Sequence, residues 1–358
     1  MTIATQPAQR RNIALADDDH EQIVIRQDPE TGLRLIVAVH STVLGPSLGG
    51  MRLKRYAGGL REALEDVMGL ARTMTLKASA AGLDLGGGKA VMIDDGRTEM
   101  REARLEGAAR VIDGLNGAYV TAEDIGTTCA DMDYLSQFTR FAVGRSVERG
   151  GGGDPSPVTA ETVFQALLRG LRAATGSGDL DGRHVGVIGL GKVGYRLAAN
   201  LRSAGATVVA CDLDPLRAER FAEEHGGEIV SSAKALMAMP LDVLAPCAAG
   251  GTIDEAHAHS LDCSVVVGAA NNPLASRTVA RVLSDRGILY VPDFLANCGG
   301  LIHVSREWYG EHGPGEAELI ARAMERLELA IDTAKTEDST PIEVAERQAL
   351  ERIAAARE

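Results

Sequence analysis

The segment RHVGVIGLGKVG, residues 183–194, constrains the fold more than any other stretch of the chain. The apolar run VGVI has strand length, and Gly189, Gly191 and Gly194 follow it in the spacing G-x-G-x-x-G before a helix-forming stretch. The first glycine permits a tight turn, the second lets backbone approach a pyrophosphate, and the third lets helix and strand pack closely. Phosphate charge then sits at a helix N-terminus, where free N–H groups and the helix dipole favour an anion. Asp212 ends the next strand, TVVACD, eighteen residues past Gly194. A carboxylate there accepts hydrogen bonds from ribose hydroxyls and repels a 2′-phosphate, which favours NAD over NADP. A glycine-rich turn without ligand is the plainer alternative, but strand, helix, spacing and acid together favour the cofactor. Lys192 within the loop either touches phosphate or is solvated, and Asp214 reads as a helix N-cap before Pro215.

Around this motif the second half of the chain alternates helical stretches with short apolar strands, TVVACD, EIV, DVLAP, SVVVGAA and ILYVPD. That pattern predicts a parallel sheet buried on both faces. A helix over about 159–175 precedes it. The tail from Glu316 is helical, with Leu319, Ala323, Leu327 and Ala330 on one face. Thr340, Pro341 and Glu343 then form a capping box that starts a last helix. In the first half, QIVIRQ and LRLIVAVH flank the turn residues DPETG and predict a hairpin. Leu64, Val67, Met68, Ala71 and Met74 recur at helical spacing. The glycine-dense GLDLGGGKAVMI leads into a strand, residues 98–115 read as helix, GAYVT as strand, and DMDYLSQFTRFAV as helix again. A mixed sheet with helices packed on it follows. The glycine- and proline-rich segment GRSVERGGGGDPSP separates the halves as a linker or hinge. The expected class is therefore α/β with two domains.

Several function classes are disfavoured. The net charge is −13, and no basic cluster interleaved with aromatics offers a nucleic-acid surface. Residues 1–20 lack the apolar core of a signal peptide, and no run reaches membrane-span length. A cytoplasmic protein with no membrane partner is expected. Cys129, Cys211, Cys247, Cys263 and Cys298 are odd in number and widely spaced, so they read as reduced, buried small hydrophobes. His257 and His259, two apart on a helical stretch, have a poor spacing for metal ligands and do not read as a metal site.

The chemistry-bearing residues cluster elsewhere. Lys77 is in phase with the inward face of the first long helix, amid small and apolar neighbours, and needs an anion or a function there. Lys89 follows three glycines at the mouth of an apolar strand. Two such lysines close in space depress each other's pKa, so that one can hold a carboxylate while the other acts as a base. Either lysine alone could equally snorkel to solvent. Asp124 stands at the carboxyl end of GAYVT, where α/β proteins hold ligands, or caps the following helix, a role open to Thr127 or Thr128 as well. Asn271 and Asn272 close another strand, at a ligand or simply in a turn.

Taken together, GPSLGGMR, MTLKASAAGLDLGGGK, TAEDIGTTCADMD, GDPSPVTA, GLGKVG, APCAAGG, GAANN and NCGGLIHV resemble, in order from about residue 22 to the C-terminus, the Glu/Leu/Phe/Val amino-acid dehydrogenase family. The resemblance implies a substrate and catalytic domain over 1–143, a Rossmann NAD-binding domain over 144–330, and a C-terminal helix within 331–358 that returns to the first domain, with the cleft between the two. It implies that Lys77 binds the substrate α-carboxylate, Lys89 activates water, and Asp124 relays protons. Thr159 and Asn271 would hold the nicotinamide, with Asn271 also near the substrate. Leu190, Lys192, Val193 and Leu213, beside the three glycines and Asp212, would join Arg52, Ala248 and Ala249 as cofactor contacts. The implied reaction is reversible oxidative deamination, in which hydride passes from the α-carbon to NAD and ammonia leaves a 2-oxo acid.

By the same resemblance Leu48, Gly49, Gly50, Ala122, Leu301 and Val304 shape the substrate pocket. Glutamate enzymes carry a lysine where Leu48 stands, so a glutamate side chain here would be buried unpaired, at a cost of several kcal/mol. Leu301, where phenylalanine-preferring relatives are smaller, favours leucine, valine and isoleucine. Their ranking is not readable, since one methylene is worth only ~1–3 kcal/mol. Met51 and Cys298 depart from the residues usual in relatives and bear on substrate preference. Relatives are commonly homo-oligomers, and the same is expected here. The competing readings are an aromatic amino-acid dehydrogenase and a catalytically silent NAD-binding sensor, against which the paired lysines and Asp124 argue.

Overall fold

The DPETG turn closes the expected hairpin. In the computed structural model, which describes residues 19–311 and 313–357, strand β1 (Gln22–Asp28) runs antiparallel to β2 (Leu33–Ser41). The Asp28 carboxylate secures the turn by accepting from the Glu30 N–H and the Thr31 hydroxyl. The stretch examined for a signal peptide lies, up to residue 18, outside the described residues. Strands β3 (Ser47–Lys54), β4 (Gly86–Ile93) and β5 (Tyr119–Glu123) complete a mixed five-stranded sheet in the order β1-β2-β4-β3-β5. β3 is an element the sequence pattern did not predict. Pro46 and the Gly49–Gly50 pair interrupt its alternation, yet it lies between β4 and β5, parallel to both.

Helix α1 (Gly59–Ala80) packs Ala63, Leu64, Val67 and Ala71 against Ile36, Ala38 and Val91 of this sheet. Helix α2 (Arg101–Gly114) buries Leu105, Ala108 and Ile112 in the cluster containing Leu33, Leu35 and Met92. The three glycines before Lys89 belong to β4 itself. A Cβ on Gly87 would lie 2.0 Å from the Thr75 backbone nitrogen, so glycine is what lets α1 settle on the strand. Helix α3 (Cys129–Leu135) is shorter than the helical spacing over 131–143 predicts. Beyond it the chain finds partners on the edge of β5 instead: Thr121 N–H donates to Phe141 O, and Val143 N–H to Thr121 O.

The second sheet follows α4 (Ser156–Thr175). It alternates β6 (His184–Ile188), α5 (Lys192–Ser203), β7 (Thr207–Cys211), α6 (Pro215–His225), β8 (Glu228–Ile229), α7 (Ala233–Met237), β9 (Val243–Pro246), α8 (Glu255–Ser260), β10 (Val265–Val266), α9 (Arg277–Asp285) and β11 (Leu289–Tyr290). The order β11-β10-β9-β6-β7-β8, parallel throughout, is the doubly wound dinucleotide-binding arrangement. β10 and β11 are shorter than their apolar runs, because the chain leaves the ladder at its carboxyl edge to build loops.

Helices α10 (Asp293–Ala296), α11 (Gly299–Tyr309), α12 (Glu316–Glu337) and α13 (Pro341–Ala355) follow. Thr340 and Glu343 cap α13 reciprocally, as the sequence predicts. α13 returns to α1: Ser79 Oγ donates to Ala349 O at 2.8 Å, and Arg352 donates to Leu83 O and to the Asp84 carboxylate. All five cysteines are free. Cys211 and Cys298 are buried as expected, but Cys129, Cys247 and Cys263 are only half-buried. No helix among the described residues is long and apolar enough to cross a membrane.

The α1–β4 contact yields a paired prediction. Gly87→Ala should destabilise by about 3 kcal/mol through overpacking. Gly69→Ala, on the exposed face of α1 with open space around its Cβ, should stabilise by about 0.5–1 kcal/mol. Urea unfolding midpoints check both, and equal effects would contradict the packing described.

Candidate active site

Three parallel strands bring the first set of charges together. Lys89, mid-strand on β4 and 7% exposed, forms an ion pair with Asp124, the residue that follows β5. Arg52, on β3 between them, lies with Nε 3.5 Å from the same Asp124 oxygen, while its Nη1 donates to Asp66 of α1 at 3.0 Å. The Tyr56 hydroxyl donates to that Asp66 oxygen at 2.6 Å. Asp124 is fixed further by backbone: its Oδ1 accepts from Ile125 N–H, and Thr127 Oγ1, which accepts from Asp124 N–H, donates to Met51 O. Capping of α3 falls to Thr128, leaving the Asp124 carboxylate free for the cations. Burial opposes its ionisation, but the Lys89 charge and the nearby Arg52 outweigh burial and hold the carboxyl below the usual aspartate range.

A cation on α1 faces the second sheet. Lys77 Nζ donates to Asn297 Oδ1 at 2.6 Å, and Asn297 Nδ2 donates to Asn271 Oδ1 at 3.0 Å and to Ala269 O at 3.1 Å. Burial pushes the Lys77 ammonium below the ordinary lysine value, and the Lys89 charge adds a smaller push the same way; the nearby Asp293 opposes both. The mutual depression read from the sequence is thus present at Lys77, with desolvation the larger cause. Cys298, beside Lys77, is pushed up to about 12 by burial, so it is a neutral thiol. Asn271 and Asn272 do more than turn the chain, since Asn272 N–H donates to the Asp293 carboxylate, which also accepts from Tyr290.

The glycine loop lies at the switch point between β6 and β9. Gly189 has φ +95°, which favours glycine, and a Cβ on it would meet Ala248 at 2.8 Å. A Cβ on Gly194 would lie 2.0 Å from Gly189 O, whereas none of the protein comes within 4 Å of one on Gly191. Backbone is therefore open to an approaching phosphate at Gly191, at the N-terminus of α5. A cavity of about 550 Å³ extends from this loop to Asp212 and the fully exposed Leu213. Asp212 accepts from Leu190 N–H at 2.6 Å and Asp214 N–H at 2.8 Å. These features fit a dinucleotide. Lys192, by contrast, extends into solvent about 4.0 Å from Asp154. Val193 and Ala249 flank the loop and the Ala248 turn, and Ala249 O accepts from Thr252. Thr159, in the first turn of α4, faces Gly300 at the start of α11.

Leu48, Ala122, Leu301 and Val304 belong to one buried apolar cluster. A Cβ on Gly144 would touch both Val304 and Ala122, at 3.6 and 3.8 Å, so these two side chains face the same space. A Cβ on Gly50 would meet Glu123 O at 2.6 Å and Asp124 Cβ at 2.8 Å, which explains the glycine beside the aspartate. Arg52, expected at the cofactor, spends its guanidinium on Asp66 and Asp124. Sequence reasoning missed Asn297, whose partner Lys77 lies 220 residues away, and also Asp66, Tyr56 and Asp293. The NCGG string was a signal for Asn297. Among the described residues, no three His, Cys, Asp or Glu side chains gather as a metal site.

Residues 20–141 match the family model described as Glu/Leu/Phe/Val dehydrogenase, dimerisation domain, and residues 217–358 the model Glutamate/Leucine/Phenylalanine/Valine dehydrogenase. Residues 185–236 also match a TrkA-N domain. The leucine dehydrogenase of Thermoactinomyces intermedius is 40% identical, covering 94% of this chain and 91% of its own. The valine dehydrogenase of Streptomyces virginiae is 41% identical, covering 94% and 95%. The crystal structure of L-tryptophan dehydrogenase from Nostoc punctiforme superposes with TM-score 0.82 at 32% identity, covering 95% and 97%.

The Lys77 environment predicts a pH effect. Its folded pKa lies below 10.5, so between the two values the unfolded chain binds more protons and stability rises with pH. The unfolding free energy of the wild type relative to Lys77→Met should therefore increase as pH is raised toward 10.5. Urea titrations at several pH values measure this, and a difference that does not vary with pH would contradict the buried cation.

Proposed function

The chain belongs to the Glu/Leu/Phe/Val dehydrogenase family, and from that membership we propose that it catalyses the NAD-dependent, reversible oxidative deamination of branched-chain L-amino acids to 2-oxo acids and ammonia. The observation that carries the chemistry is the paired arrangement of Lys89 on Asp124 with Lys77 on Asn297. Bound NAD supplies the hydride acceptor. The residues of the chain do the rest. Lys77 has three donors and spends one on Asn297, which leaves two for the substrate α-carboxylate. A carboxylate there also relieves the desolvation of the ammonium. Lys89 is the base that activates water once its proton has passed to Asp124, and Asp124, held ionised at rest by Lys89 and Arg52, relays protons between the amine and the water. The Asn297–Asn271 bond fixes the Asn271 side chain, which with Thr159 would hold the nicotinamide.

The substrate side chain would meet the apolar residues Ala122, Leu301, Val304 and Leu48. Leucine, valine and isoleucine suit that wall; an aromatic ring needs room that Leu301 takes. On this reading residues 1–143 carry substrate and catalytic groups, residues 144–330 the cofactor, and the helix within 331–358 braces α1. A homo-oligomer is also proposed. The matched dimerisation model over residues 20–141 supports it, as does the outer edge of β1, which no strand among the described residues pairs.

Lys89→Ala should lower kcat by about 10²-fold or more, the usual worth of a positioned base, while NAD affinity changes little. Near-wild-type kcat in that variant would remove the role assigned to Lys89. Initial rates across leucine, valine, isoleucine, phenylalanine and tryptophan, followed by NADH absorbance, should favour the aliphatic three. A preference for an aromatic substrate would overturn the pocket argument, and NAD binding without turnover of any amino acid would support a silent sensor.

A further inference from the structure

The crevice beside Asp212 holds a cation that the dinucleotide pattern does not require. Arg217, in the first turns of α6, lies with Nη1 3.3 and 3.4 Å from the two Asp212 oxygens and with Nη2 3.5 Å from Asp214. It lines the same cavity as Gly189, Gly191, Asp212 and Ser231. Asp212 does not depend on it for position, because each carboxylate oxygen already accepts from a backbone N–H, Leu190 on one and Asp214 on the other. The aspartate side chain is 7% exposed, whereas that of Arg217 is 45% exposed. The long, loose contact leaves the guanidinium free to turn toward the cavity.

That geometry alters the discrimination expected of a lone aspartate. A carboxylate by itself repels a 2′-phosphate on the adenosine ribose. A guanidinium alongside offsets that repulsion and offers paired donors matched to phosphate oxygens. The Ser231 hydroxyl, on the same cavity wall, adds a further donor. Building on the reading of this crevice as the NAD site, we propose that Arg217 makes the site bispecific. NADP is accepted as a second, weaker cofactor, with Arg217 leaving Asp212 to bind the 2′-phosphate. Asp212 continues to favour NAD through the ribose hydroxyls, so Arg217 sets how steep the preference is.

The test compares kcat/KM for NAD and NADP in the full-length wild type, Arg217→Ala and Arg217→Lys, with leucine or valine as substrate. The wild type should turn over NADP less efficiently than NAD. Arg217→Ala should lower the NADP-to-NAD ratio about tenfold or more, the worth of a charge-assisted hydrogen bond, mostly through the KM for NADP, and Arg217→Lys should restore part of it. A wild type that uses NAD and gives no turnover with NADP overturns the proposal, as does a ratio that Arg217→Ala leaves unmoved. Failure of turnover with both nucleotides counts against the enzymatic reading instead. In that case calorimetric binding of adenosine 2′,5′-bisphosphate against 5′-AMP decides: selective loss of the bisphosphate in Arg217→Ala supports the proposal, and equal effects on both, or no effect, overturn it.

Discussion

An enclosed ammonium group must find oxygen, and the way Lys77 finds it ties the two sheets together. Its partner, Asn297, lies 220 residues away in sequence, on the loop between α10 and α11. Asn297 is in turn held by Asn271 and by the Ala269 carbonyl at the carboxyl edge of the second sheet. Ordering groups so distant in sequence is costly, so other contacts must bring the halves into register. The glycine-rich linker does part of this. Gly144 N–H and Arg145 bond the Glu307 carboxylate of α11, and His303, one turn earlier, sits between the Gly152 carbonyl and Glu316. What composition describes as a hinge is, in this conformation, a segment whose backbone groups are satisfied by side chains of the helix that also carries Leu301 and Val304.

The charges on the first sheet depend on backbone in a similar way. Tyr119 donates its buried hydroxyl to Gly49 O at 2.6 Å, and Thr127 donates to Met51 O, so both ends of β5 are fastened to β3. The glycines at 49 and 50 let the strands approach closely enough for Asp124 to stand over Arg52. A carboxylate between two cations then needs no water to remain ionised. The same carboxylate limits how freely Lys89 can move, which would hold the proposed base in a fixed position.

Features that depend on neighbours in sequence were legible. The hairpin at DPETG, the amphipathic face of α1, the glycine loop after β6 and the capping box at Thr340 each rest on local turn chemistry or helical spacing, and the structure contains all of them. β3 was not legible, because its glycines break the alternation that marks a strand and its evidence is the two strands beside it. Lys77, Lys89 and Asp124 could be singled out as costly groups in apolar surroundings. Their partners could not. Nothing local distinguishes Asp66 as the anchor of Arg52 or Asn297 as the acceptor for Lys77, since each pairing is created by the tertiary fold. The helical spacing over 131–143 misled for the converse reason: an open strand edge offered its backbone better partners.

The pattern of pairing also bears on which carboxylates the site can receive. Lys89 and Arg52 already share Asp124, and Arg52 has Asp66 as well. Lys77 differs, since its hydrogen-bond acceptor is a neutral amide oxygen. A neutral acceptor satisfies a donor without neutralising the charge, so Lys77 is the cation best able to gain from an arriving anion. A substrate with a single carboxylate meets that need. On the proposed reading, a second carboxylate on its side chain would have to enter the apolar wall of Ala122, Leu301 and Val304, away from Lys77. The preference for an uncharged aliphatic side chain thus follows as much from where the charges are satisfied as from the shape of the apolar wall.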